Sequence, residues 1–345
     1  MLEKTNLKYY FFYIATSVII VAGFKAASEV IIILLLAIFI ASILSAFLNF
    51  LTAKKIPKLL AYMILISVLA VLILLLTYML NSSLTNFATN LPDYEQKIKD
   101  SIILLINYAQ EFGFTVNKDE ILKAINFSYF FNFTTDIIGN IGSIFSKALL
   151  VFIGVAFILS ETKVFEKKLK VIFNKDKTRL LNFRLFSQNL QKYFTVKTFT
   201  SFLTGSFIFI TLFFFNIDYP ILWAVVAFLF NFIPVVGSIV AAIPAVLLSL
   251  VAGDFEVTIW LIVIYMIVNI TISNVLEPKF MGKELGLSPM IIFFSLIFWG
   301  WILGIVGMFL AVPITMTLKI AFESANNTRW IGVLLSDLSR RNSRI

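Results

Sequence analysis

The sequence contains no histidine and no cysteine. Imidazole metal ligands, a Ser-His-Asp triad, a histidine proton relay, disulfides and thiolate chemistry are therefore excluded together. Chemistry falls to carboxylates, lysine and arginine, hydroxyls, amides and bare backbone. Glu277 stands out first, because it ends an apolar run and precedes Pro278. A carboxylate there suits proton carriage or cation coordination, since ionisable groups at membrane depth are costly and usually serve a pathway. The plainer reading is an interfacial acid paired with Lys279 or Lys283. Asn269 and Asn274 follow as amides on an apolar helix, about 140° apart around its axis and so on different faces. Asn269 and Ser273 share a face, giving a polar stripe for a solute or a hydrogen-bonding contact between helices.

The remaining candidates are backbone positions. Residues 231–250 read NFIPVVGSIVAAIPAVLLSL, apolar enough for a membrane segment yet carrying Asn231, Pro234, Gly237 and Pro244. Irregular backbone at membrane depth is tolerated where it is buried in protein or lines a wet cavity, and freed amides and carbonyls there can meet a solute. Asn231 suits a cap on the backbone freed at Pro234, or a carbonyl offered to the solute. Gly304, Gly307 and Pro313 interrupt the later run in the same way, and Gly300 with Gly304 has helix-packing spacing.

Elements long enough to hold these residues in a bilayer are plentiful. The chain has 345 residues, 60% hydrophobic and only 14% charged, against about one-quarter charged in soluble proteins. Apolar runs recur from end to end, which predicts an all-α polytopic membrane protein. We expect about six full spans plus two broken hairpins, re-entrant or else crossing fully as tilted, proline-kinked helices, or roughly 8–10 membrane segments. Spans 1–3 occupy 1–80, the first being a retained helix near 9–23. An extracytoplasmic helical layer follows at 81–146, opened by a turn at Leu91-Pro92-Asp93 and carrying the interfacial aromatic patch 127–133. Span 4 is 147–160 and a basic cytoplasmic stretch is 161–194. Span 5 with the first broken hairpin covers 195–252, span 6 with the second covers 257–322, and a basic tail fills 323–345. Short basic loops stay in the cytoplasm. This places both termini inside a cell inner (plasma) membrane, with Asp218, Asp254 and Glu256 in outer turns. The net charge of +9 then belongs to cytoplasmic faces rather than to nucleic-acid binding.

The two breaks resemble each other. VGSIVAAIP (236–244) and VGMFLAVP (306–313) both run Val-Gly to Pro, each after a full span, and those spans cross in opposite directions. Paired interrupted segments with weak inverted symmetry point to a secondary transporter with alternating access. No Walker A sequence is present, so direct ATP coupling within this chain is not expected. No cofactor, metal site or enzyme activity is expected either, because a carboxylate pair would be needed and only Glu277 lies near membrane depth. A non-transporting membrane scaffold is the alternative of a different class.

The stretches FNFIPVVGSIVAAIPAVLLSL and NVLEPKFMGKELGLSPMIIFFSLIFWGWILGIVGMFLAVPITMTLKI resemble the autoinducer-2 exporter family of permease-like proteins. The layout of the whole chain is similar to that family, although only the C-terminal half carries specific motifs. The resemblance implies a multi-span homo-oligomeric transporter, some members being linked to autoinducer-2 export and others to sodium/proton antiport. It carries over Asn231, Pro234, Gly237 and Pro244 in the first hairpin and Glu277, Pro278, Gly304, Gly307 and Pro313 in the second unit, with Gly282, Gly286 and Pro289 as structural motif positions. The family is often more polar before its Glu-Pro pair, with Gln or Glu. Here that stretch reads VNITISNVLEP, which argues against a carboxylate-rich ion site. Expected partners are the lipid bilayer, a small molecule or ion as substrate, and further copies of the chain.

Overall fold

The computed structural model describes residues 6–111, 113, 136, 139, 147–172, 177–234, 236–251, 255–281, 286–324 and 327–337. About half of the expected outer layer, including the patch 127–133, lies outside the described residues, as do Asp254, Gly282, Lys283 and Arg340, Arg341 and Arg344. Among the described residues the regular elements are helical. In chain order they are α1 (Asn6–Ala26), α2 (Ser28–Ala53), α3 (Lys58–Glu111), α4 (Ala148–Ile172) and α5 (Lys177–Phe214). Then come α6 (Pro220–Phe230), α7 (Val236–Val251), α8 (Phe255–Thr271), a π-turn (Ile272–Leu276), α9 (Glu277–Met281), α10 (Pro289–Glu323) and α11 (Arg329–Leu335). By length and composition five helical stretches are long and apolar enough to cross a bilayer, and four shorter apolar ones accompany them; the last of the five, Pro289–Glu323, is broken at Gly304. This is the all-α polytopic architecture read from the sequence, and it follows from solvent. In hydrocarbon every backbone N–H needs an internal partner, which a helix supplies within one segment.

The chain forms two compact units. One comprises Met1–Phe50, Leu149–Gln191 and Glu284–Ile345, the other Leu51–Ala148 and Lys192–Lys283.

In the second unit, α3 runs through the expected turn at 91–93 and past the expected boundary at 80/81. A mid-helix proline costs about 3 kcal/mol, and tertiary packing on both sides of it holds the helix together. Phe87 and Tyr94 are buried on one face of α3. Phe87 meets Trp223 of α6 edge-on at 5.4 Å between ring centroids. The Tyr94 hydroxyl donates to Asp218 Oδ2 at 2.9 Å, and Asn90 Nδ2 donates to the Tyr219 hydroxyl at 2.9 Å. Burial, with Tyr219 and Asp218 as neighbours, raises the Tyr94 pKa above its ordinary value, so it remains a donor. Tyr219 has φ 57°, and Pro220 then opens α6 at the first helical position, where its missing N–H costs nothing.

The first break is a helical hairpin. Its first arm, α6, has 11 residues. At ~1.5 Å per residue it reaches about 16 Å, half of the ~30 Å hydrocarbon core. The chain then turns at 231–234 and returns as α7. Gly237 is required at the start of α7, because a Cβ there would collide with the Phe230 carbonyl. Pro244 lies inside α7 without breaking it.

The second break belongs to the other unit and is closed by a comparable contact. Gly304 has φ 64° and ψ −150° within α10, a conformation open essentially to glycine alone. The chain folds back there, and a Cβ on Gly307 would collide with the Trp299 carbonyl. Trp299 Nε1 donates to Thr315 Oγ1 at 3.1 Å. Those residues would stand about 24 Å apart in a straight helix, so the two arms, 289–303 and 305–323, are antiparallel. Pro313 lies buried inside the second arm. Pro289 opens the first arm, and Gly286 before it has φ 61°. The base of this hairpin is strapped by the chain end: Leu287 and Ser336 form an isolated bridge, with Ser288 N–H donating to Leu335 O at 3.2 Å. In the same unit Lys25 of α1 sits over the Trp301 ring at 4.1 Å.

These contacts predict a contrast among glycines. Gly237→Ala and Gly307→Ala should each destabilise the protein by about 1–3 kcal/mol, the usual cost of overpacking. Gly23→Ala, whose Cβ would meet nothing within 4 Å, should leave thermal unfolding in detergent unchanged or slightly raised. Equal melting of all three variants would refute the close-approach account.

Candidate functional site

Helix α5 enters the second unit at Lys192 and presents a polar buried face. Tyr193, Lys197, Thr200, Ser201 and Thr204 are all buried. Their spacing of three to four residues puts them on one side of the helix. Opposite them run α8, the π-turn and α9, carrying Tyr265, Asn269, Ser273 and Glu277 at four-residue intervals. Twelve α-helical residues would swing Glu277 about 120° away from Tyr265. Five π residues, at roughly 80° each, return it to within about 30°.

The π-turn has a local cause in the sequence. Pro278 has no N–H, and its ring would strike the carbonyl four residues earlier, which is that of Asn274. Widening the preceding turn relieves this, and the Glu277 N–H accordingly bonds Ile272 O, five residues back. The proline therefore aims the glutamate.

Glu277 Oε1 receives Lys197 Nζ at 2.5 Å and the Thr200 hydroxyl at 3.2 Å. The Lys197 side chain is 5% exposed and that of Glu277 15%. The pair is more enclosed than Lys168–Glu161 or Lys319–Glu323. The sequence reading offered Lys279 or Lys283 as partner and gave no role to Lys197, which falls just inside the expected span 5. The structure corrects the partner: Lys197 on the buried face of α5 meets Glu277, while Lys279 is exposed. The signal was the chain position of Lys197, where the apolar run of span 5 has already begun.

The other candidates sort by contact. Ser273 Oγ donates to Asn269 Oδ1 at 3.3 Å, so the shared face expected for this pair is real. Asn274 and Pro278 are exposed. Asn231 is buried and donates from Nδ2 to Ser201 Oγ at 2.9 Å, tying the first hairpin's turn to α5 rather than capping the backbone at Pro234. The described amides of that turn are satisfied within the hairpin: Asn231, Phe232, Ile233 and Gly237 N–H each reach a carbonyl of the preceding turn, and Val236 N–H reaches Pro234 O. Pro234 is half-buried and Gly237 and Pro244 are buried, so they shape the hairpin. Gly304 is exposed at the second break, and Gly307 and Pro313 are buried beside it. Among the described residues no group of three or more acidic, histidine or cysteine ligands comes together for a metal.

Removing one partner of a buried ion pair strands the other, at about 3–5 kcal/mol, whereas replacing both by apolar groups is often close to neutral. Lys197→Met and Glu277→Leu should therefore each lower thermal stability strongly, and the double variant should recover most of the loss. A double variant as unstable as the sum of the singles would show that the pair contributes nothing as a pair.

The sequence model of the AI-2E family transporters matches residues 14–327. A protein of Haemophilus influenzae named "Putative transport protein" is 33% identical over 309 residues, covering 88% of this chain and 89% of its own length. The AI-2 transport protein TqsA of Escherichia coli is 32% identical over 305 residues, covering 88% and 89% respectively. The Escherichia coli protein YhhT, also named a "Putative transport protein", is 27% identical over 310 residues. The match to the family takes in both hairpins, the Glu277-Pro278 pair and Lys197, and this multi-pass membrane protein belongs to the AI-2E transporter family.

Proposed function

We propose that this chain is a secondary transporter that moves a small polar solute by alternating access, with the Lys197–Glu277 pair as its coupling element. The observation that carries this reading is the enclosed ion pair on a polar line between two spans. Charges inside membrane segments are expensive, face the protein interior and pair with one another along transport paths. A carboxylate held by an amine can release it when a proton or cation takes its place, which gives two states of nearly equal cost. A relative carries the name AI-2 transport protein, and export of a small signalling molecule of that kind is the solute reading we favour. The two hairpins, one in each compact unit, are proposed as the inverted elements that move. Residence in the inner membrane with both termini cytoplasmic, and assembly with further copies, are parts of the same proposal, the first supported by the basic loops.

One observation favours a second reading. The Lys197 ammonium occupies the place on Glu277 that an inorganic cation would take, as in a cation/proton antiporter on the same scaffold.

Reconstituted proteoliposomes test both. Gradient-driven efflux of AI-2 should be coupled to an imposed proton gradient in wild type. In Glu277→Gln it should fall by roughly 5–150-fold, the usual range for coupling between linked sites. If external sodium alone discharges the proton gradient, and does so only with Glu277 intact, the antiporter reading prevails. Coupled flux that is as fast in Glu277→Gln as in wild type would remove the pair from the mechanism.

A further inference from the structure

A second feature lies on the same polar line, toward the opposite end of α8 from the ion pair. Thr204, Ser238, Tyr265 and Asn269 line a cavity of about 10 Å³ together with the small side chains of Ala227 and Ala241. That is close to the room one water-sized oxygen needs. The Tyr265 hydroxyl is buried and has no hydrogen-bond partner in the protein. A buried hydroxyl left unsatisfied costs about 1–3 kcal/mol, so such a group calls for a ligand or a role. The neighbours suit an oxygen that both accepts and donates. Tyr265 donates. The Thr204 hydroxyl spends its proton on Thr200 O at 3.1 Å, leaving its lone pairs to accept. Asn269 offers an amide already oriented by Ser273. None of the lining groups is charged. The cavity also connects to the ion pair through covalently adjacent turns, because Thr200, which receives the Thr204 hydroxyl, itself donates to Glu277.

We infer that Tyr265, Thr204 and Asn269 form a binding site for a single uncharged hydroxyl oxygen, either a water or the hydroxyl of a transported solute, on the path that leads to Glu277. The on-path part rests on the transporter reading, whereas occupancy of the site does not.

The test joins density with flux. A map that resolves ordered water should show a peak at about 2.7–2.8 Å from Tyr265 Oη in wild type, and none in Tyr265→Phe. After soaking with xylitol, a peak that grows into the polyol identifies a solute hydroxyl, and an unchanged peak identifies water. No peak in wild type overturns the site. In proteoliposomes, Tyr265→Phe and the cavity-filling Ala241→Val should each reduce flux by tenfold or more without a fall in thermal stability. The flux read is dye-reported proton movement if the oxygen is water, and xylitol efflux if it is a solute hydroxyl. Wild-type flux that survives both substitutions overturns the placement on the path. A wild-type peak in a protein that moves neither protons, xylitol nor AI-2 keeps the hydroxyl site and rejects the transporter reading instead.

Discussion

Burying Lys197 and Glu277 against each other is the constraint around which the second unit is organised. Either charge alone in a protein interior costs several kcal/mol, so each helix must deliver its residue to the same spot. On α5 this requires Lys197 on the face shared by Thr200 and Thr204, where Thr200 adds a hydrogen bond to the carboxylate. On the opposite side it requires a register correction, because an uninterrupted α-helix would carry Glu277 off the line of Tyr265, Asn269 and Ser273. Pro278 makes that correction by forcing the turn before it to widen. The Glu-Pro dipeptide therefore works as one device, with the acid supplying charge and the imino acid its direction.

The hairpins meet a different demand. In hydrocarbon a turn exposes amides that cost several kcal/mol each if unpaired. The first hairpin answers with bonds inside its own turn and with Asn231 on Ser201. The described amides of that turn are thus paired inside the protein, and buried polar side chains lie beside it on α5. The second hairpin uses glycine twice, once for a left-handed backbone at Gly304 and once for the approach of Gly307 to Trp299. Val-Gly to Pro recurs in both sequences because both need a residue without a Cβ where the returning arm touches the outgoing one. The prolines at 244 and 313 come too late to break anything and sit in helices already packed on their partners.

Much of this was legible in the sequence. Recurring apolar runs marked the all-α membrane class, and the missing histidine and cysteine confined chemistry to the groups that in fact line the polar seam. The breaks were readable because glycine and proline act locally. What was not readable depends on tertiary contact. Pro92 read as a turn, but Phe87, Asn90 and Tyr94 hold α3 straight through it against α6 and the residues before it. Lys197 falls inside the expected span 5 yet drew no role, since nothing local shows which face of a helix another helix will cover. The shared face of Asn269 and Ser273 was readable from their spacing, but the alignment of Glu277 with it was not, because the π-turn that brings it back is visible only as the proline that causes it.

Neutrality of the seam has a consequence for what can cross it. Its two charges cancel, and the remaining polar groups are hydroxyls and amides. An uncharged solute can be passed along such a line by exchanging hydrogen bonds of similar strength. A charged one would either arrive unpaired, at a cost the lining cannot offset, or take a partner from the ion pair. On the proposed mechanism, charge therefore enters only by replacing Lys197 on Glu277 or by protonating that carboxylate. Coupling and selectivity then reside in different parts of one helix, the first at Glu277 and the second three turns away at Tyr265.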